Sequence, residues 1–175
     1  MARLAPAPGR YAARVISFVV LDLGQVLASP ADVYQAPAAL IGARPDDLAA
    51  HYWTDRRAYD TGISDSDYWE PLLANLGVPA TPQLISRLAE QDAALWTQLR
   101  PTALELLHAV RAWQVPLAIL SNAPLAMGPA ARAAGWASLF ERIFISAELG
   151  LTKPDPAIYA TVTAELGVAP GEIAF

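Results

Sequence analysis

Residues 15–21 (VISFVVL) are apolar and rich in β-branched side chains, broken only by Ser17, and they stop at Asp22. A run without polar alternation suits a strand buried on both faces, as in a parallel sheet. Similar short runs recur at 115–120 (VPLAIL) and 143–146 (IFIS), and a further one opens at Ile173. Between them the apolar positions return at helical spacing, over 101–113, 124–135 and 155–167. In the last of these Asp155 suits the N-cap, Pro156 the first helical position and Gly167 the stop. Helices alternating with short buried strands predict an α/β, Rossmann-like domain with a mainly parallel sheet flanked by helices.

The stretch 32–99 carries no strand pattern. Its periodicity predicts helices over 45–59, 64–76 and 81–99, with Ser64 and Thr81 as N-caps and Gly62 and Gly77 as stops. The first strand therefore runs into an inserted all-helical segment before the sheet resumes. The organisation expected is a loose N-terminal extension over 1–14, a core over 15–31 and 100–175, and a helical insert over 32–99.

Composition narrows the function classes. The 175 residues suffice for one domain with a real core. Charged residues are 17% of the chain and the net charge is −5, with no stripe of lysine and arginine, so no nucleic-acid footprint is expected. With no cysteine, disulfides, thiolate metal sites and a thiol nucleophile are excluded. No apolar run is long enough to span a membrane, and residues 1–14 contain no apolar signal core, so a cytoplasmic protein is expected.

In an open parallel sheet, ligands bind beyond the carboxyl ends of the strands. Asp22, the Ser121–Asn122 pair and Lys153 follow three successive strand runs. Each alone reads as ordinary: an acid at a turn, an N-cap, a solvated loop lysine. Together they make chemical sense. A carboxylate is a nucleophile, and a hydroxyl and an ammonium can hold the oxygens of a transferring group.

The stretches VVLDLGQVL, LAILSNA and LGLTKPDPAIY, in that order and with a helical insert after the first, resemble the haloacid dehalogenase (HAD) superfamily, above all its phosphatase-like members with a small helical cap. The resemblance implies Asp22 as nucleophile, forming an aspartyl-phosphate, with its carboxylate and the Gly24 carbonyl as Mg²⁺ ligands. It implies Ser121 and Asn122 at the phosphoryl group, Lys153 orienting both partners, and segment 32–99 as the cap that selects a small phosphorylated metabolite.

Two departures from the family pattern bear on activity. The second acid usual two places after the nucleophile is replaced by Gly24, and a missing general acid costs about 10²–10⁴-fold. Some relatives resembling sugar 1-phosphate phosphatases share that D-x-G. The acidic pair that normally completes the Mg²⁺ site follows the strand opened by Ile173, and the sequence ends at Phe175. A core so shortened leaves sheet surface open to self-association. The alternatives to a phosphatase are a truncated or non-catalytic relative and a metal-independent haloacid dehalogenase; no substrate-carboxylate arginine adjoins the first motif.

Other polar residues read as structural. Arg56 or Arg57 could reach a substrate anion, but solvated arginines are expected there, with Trp53 and Tyr59 packing the insert. Glu148 reads as a solvated loop acid and Asp155 as a cap. His51 and His108 are too isolated for a metal site.

Overall fold

The structure, a computed structural model, describes residues 16–175; the expected extension over 1–14 lies outside them. Among the described residues four parallel strands form the sheet: β1 (Phe18–Leu21), β2 (Leu117–Ser121), β3 (Arg142–Ile145) and β4 (Ile173–Ala174), in the order β3-β2-β1-β4. Val19 pairs with Leu117 and Leu21 with Ile119, while Ser121 pairs with Ile145, so the ends of β1, β2 and β3 share one edge. β1 lies in the middle of the sheet, which explains its unbroken apolar sequence: Val20 on one face and Val19 and Leu21 on the other all meet core.

Between β1 and β2 come α1 (Gln35–Ile41), α2 (Pro45–Tyr52), α3 (Arg56–Thr61), α4 (Asp65–Asn75), α5 (Pro82–Trp96) and α6 (Pro101–Arg111). After β2 follow α7 (Met127–Ala133), then α8 (Ser146–Leu149) beyond β3, and α9 (Pro156–Leu166). The larger apolar cluster joins one sheet face (Leu117, Ile119, Ile145) to α6, α7 and the helices of the insert. The other face (Val20, Ala118, Leu120, Phe144) is covered by Ile158 and Val162 of α9. No described helix is long and apolar enough to cross a membrane.

The caps are where the sequence places them. Ser64 Oγ accepts from the Asp67 amide while Asp67 accepts from the Ser64 amide, a reciprocal box that starts α4. Thr81 and Asp155 cap α5 and α9, and Gly62, Gly77 and Gly167 stop helices with positive φ. The expected helix over 45–59 is instead two, because the chain leaves helical geometry at Trp53–Asp55 and restarts at Arg56. Helix α1 was not anticipated, since Pro37 in its first turn reads as loop, although proline is tolerated there. Ser146 ends no strand: it opens α8.

Candidate active site

The parallel register brings the strand-end residues into one cavity of about 210 Å³, lined by Asp22, Gly24, Ser121, Asn122 and Lys153 from the core. Lys153 Nζ lies 2.8 Å from Asp22 Oδ2 and donates to the Leu120 carbonyl at 2.8 Å. Asp22 Oδ1 accepts from the Leu23 amide at 2.8 Å, so both oxygens of the carboxylate are oriented. Asn122 accepts from the Lys153 amide at 2.8 Å and donates to its carbonyl at 2.9 Å, fixing the loop that carries the lysine to the end of β2. Ser121 is 3% exposed, and its hydroxyl has no hydrogen-bond partner among the described residues. It is a donor left available to whatever enters the cavity.

The opposite wall comes from the insert: Trp53, Arg56, Asp60 and Trp96. Arg56 is buried rather than solvated. Its Nε donates to Asp60 Oδ1 at 2.9 Å, and its Nη1 donates to the Tyr52 hydroxyl at 2.6 Å and to Asp92 Oδ2 at 2.9 Å. The Tyr52 hydroxyl in turn donates to Asp92 and accepts from Trp96 Nε1 at 3.0 Å. Burial opposes the Arg56 charge, but Asp92, Tyr52 and Asp60 outweigh it and hold the guanidinium firmly protonated. Burial pushes the Asp60 carboxyl up; Arg56 pulls it back and Asp92 adds to the rise. Arg57, one place on, is exposed.

Glu148 is not a free loop acid: Arg132 of α7 donates to both of its oxygens, at 2.8 and 2.5 Å. Tyr59 packs the insert as expected and Tyr52 is buried beside it, whereas Trp53, expected to pack there too, is half exposed at the cavity. His108 faces solvent and His51 is only partly covered.

For a divalent metal the chain offers the Asp22 carboxylate and the Gly24 carbonyl. No cluster of three or more His, Asp or Glu able to hold an ion is found among the described residues. Mg²⁺ often takes one or two carboxylates and completes its shell with phosphate oxygens and water. Gly24 lines the cavity beside Asp22, so this sparse donor set fits an ion held largely by substrate and solvent.

The fold is thus a parallel α/β sheet that gathers an aspartate, a hydroxyl and a lysine at one edge. The haloacid dehalogenase-like hydrolase family matches residues 13–175, and the chain belongs to it. Among solved structures it is similar to the L-2-haloacid dehalogenase of Xanthobacter autotrophicus, 24% identical over 91% of this chain and 68% of that one, with a TM-score of 0.73. The same enzyme with chloropropionic acid covalently bound matches at 23% identity, equal coverage and a TM-score of 0.73. A HAD family enzyme of Bacteroides thetaiotaomicron, in complex with magnesium and inorganic phosphate, is 20% identical over 90% of this chain and 82% of that one, with a TM-score of 0.64. No curated protein matches the chain.

Asp60 and Asp92 escaped the sequence reading. For Asp92 a signal existed: the buried positions of α5 are 85, 88, 89, 92, 93 and 96, so an acid stands on the apolar stripe and must have a buried partner. For Asp60 there was none, because its direction depends on the break at Trp53–Asp55.

Proposed function

We propose that the chain hydrolyses a small phosphorylated metabolite through an aspartyl-phosphate on Asp22, with Mg²⁺ as cofactor. The observation that carries this reading is the Asp22 carboxylate held against Lys153 at 2.8 Å, in one cavity with the unpartnered hydroxyl of Ser121. Asp22 attacks phosphorus and the leaving oxygen departs. Lys153 orients the carboxylate and, with Ser121 and Asn122, holds the phosphoryl oxygens as charge shifts among them. Mg²⁺, when bound by Asp22 and the Gly24 carbonyl, neutralises phosphate charge. Segment 32–99 serves as the cap, closing over the strand ends with Trp53, Arg56, Asp60 and Trp96 facing the substrate.

A second reading, displacement of halide from a small haloacid without metal, is favoured by one observation. Arg56 supplies from the insert the cavity cation that the first motif lacks, beside the apolar walls of Trp53, Trp96 and Met127.

The test measures phosphate release from p-nitrophenyl phosphate and acetyl phosphate with and without Mg²⁺, and chloride release from L-2-chloropropionate, for the chain and for Asp22→Asn. Mg²⁺-dependent phosphate release lost in the variant is the expected result. Chloride release without metal selects the second reading. A folded chain with neither activity overturns both and leaves a non-catalytic relative.

A further inference from the structure

We propose that Asp60 is the general base of the second half-reaction, taking the proton of the water that cleaves the Asp22 ester. The inference rests on the reading of Asp22 as nucleophile. It fills a specific gap, since position 24 is a glycine and has no side chain to move a proton.

Elimination points to Asp60 first. Among the residues lining the cavity only Asp22, Asp60, Lys153 and Arg56 ionise. Asp22 is consumed in the ester. Arg56 stays protonated, and an arginine is no base in a protein. Lys153 donates to the Leu120 carbonyl and, in the proposed mechanism, stays charged on the phosphoryl oxygens. Asp60 is the one remaining carboxylate. Its Oδ1 is occupied by Arg56 Nε, while Oδ2 has no protein donor among the described residues and is free to face water.

The backbone holds it in place. Asp60 lies near the end of α3, and its carbonyl accepts from Ser146 Oγ at 2.5 Å. Ser146, fully buried at the start of α8, also accepts from the Ala123 amide at 2.9 Å, one residue past Asn122. A single buried hydroxyl thus ties Asp60 to the end of β2. Two residues further on, Gly62 passes so close to α8 that a Cβ there would stand 3.1 Å from the Ala147 carbonyl. Asp60 is therefore held on the catalytic edge, although it belongs to the insert.

The surrounding charges suit a base. Arg56 faces Asp60 from its own helix, Asp92 from α5 behind the guanidinium, and Asp22 and Lys153 from the core side of the cavity. Burial raises the carboxyl above its usual range and Arg56 limits the rise, so Asp60 is more basic than a solvated aspartate. In the step itself, the water oxygen bonds to phosphorus as its proton passes to Asp60 Oδ2. The bond between phosphorus and the Asp22 oxygen breaks, and Asp22 leaves as carboxylate. Asp60 then loses the proton to solvent.

The experiment uses the 175-residue chain with p-nitrophenyl phosphate and Mg²⁺. Asp60→Asn keeps an oxygen for Arg56 Nε, and it should lower steady-state turnover by about 10²–10⁴-fold. The initial burst of p-nitrophenol should persist, with phosphorylated chain accumulating in acid-quenched mass spectra. Decay of the isolated phospho-chain should slow on the acid side in the parent and lose that pH dependence in the variant. During that decay Asp22 is blocked and the ionisation of the phosphoryl group is common to both chains, so the part of the acid limb lost in the variant reports Asp60. The inference is overturned by normal turnover in Asp60→Asn, by burst and turnover falling together in a folded variant, or by parent decay with no acid limb, which needs no variant at all. A parent that never phosphorylates Asp22 overturns the nucleophile reading and this inference with it. A parent that does, beside an unaffected variant, overturns this inference alone.

Discussion

Lys153 Nζ, in the loop between α8 and α9, lies 2.8 Å from Asp22 Oδ2, just past the end of β1. The pair is partly open to solvent, the side chains being 19% and 38% exposed, so it contributes little to stability. Exposed ion pairs are worth about 1 kcal/mol at most. In the proposed mechanism its value is directional: the ammonium orients the Asp22 carboxylate and follows the charge to the transferring group.

Lys153→Ala is therefore expected to lower kcat by about 10²–10³-fold, as loss of a charge-stabilising donor does. Stability should fall by only about 1 kcal/mol, the worth of its hydrogen bond to the Leu120 carbonyl. Paired measurements of kcat and thermal midpoint decide it. A rate loss that merely tracks a loss of folded protein would remove Lys153 from the mechanism.

The network behind the cavity behaves oppositely. Arg56 and Asp92 are buried, their side chains 9% and 1% exposed, and each is the other's compensating charge. Removing one partner of such a pair costs about 3–5 kcal/mol, because the remaining charge stays buried without it. Asp92→Ala should show this loss in urea denaturation, whereas Arg57→Ala, exposed on the same helix as Arg56, should change stability by less than about 0.5 kcal/mol. Similar small losses in both would mean that the network opens to water in solution.

What the sequence revealed and what it hid divide along the sheet. Asp22, Ser121, Asn122 and Lys153 were legible because each follows a short apolar run, and parallel pairing carries such run ends to one edge. The cavity wall from the insert was not. Helical periodicity runs on smoothly from 45 to 59, and the interruption at Trp53–Asp55 resets which face of α3 turns inward. Arg56 therefore looked solvated and is buried. Glu148 likewise has no local sign of Arg132, sixteen residues away on α7. Strand-end chemistry follows from local pattern; the direction of a side chain across a helix break depends on tertiary packing.

Gly62 tests the docking of α3. It ends that helix at φ +116°, and a Cβ would stand 3.1 Å from the Ala147 carbonyl, which is backbone and cannot swing away. Gly42 also ends a helix with positive φ, +70°, but has nothing within 4 Å of its would-be Cβ. Gly42→Ala should cost only the left-handed penalty, about 1–2 kcal/mol. Gly62→Ala should cost more in denaturant unfolding and should also lower kcat, because displacing α3 from α8 moves Asp60 and Arg56. Equal stability losses with unchanged kcat in both would show that the close approach does not set the cavity.

The insert also dictates the alkaline limit of the fold. Tyr52, Tyr59 and Tyr68 are all buried, and burial pushes each phenol above its ordinary value. Asp92 reinforces the shift at Tyr52, and a hydrogen bond to Asp65 does so at Tyr59. The sign follows from proton uptake. Above about pH 10 the unfolded tyrosines ionise while the folded ones do not, so the folded chain binds more protons. Stability present below that pH is then lost as pH rises, by up to about 1.4 kcal/mol per unit for each tyrosine. Urea midpoints should hold steady up to about pH 9 and drop steeply above about pH 10. Tyrosinate absorbance of these side chains should appear only together with loss of the helical circular dichroism signal. Ionisation of all six tyrosines near the ordinary value, with the helical signal intact, would show that the cluster is open to hydroxide.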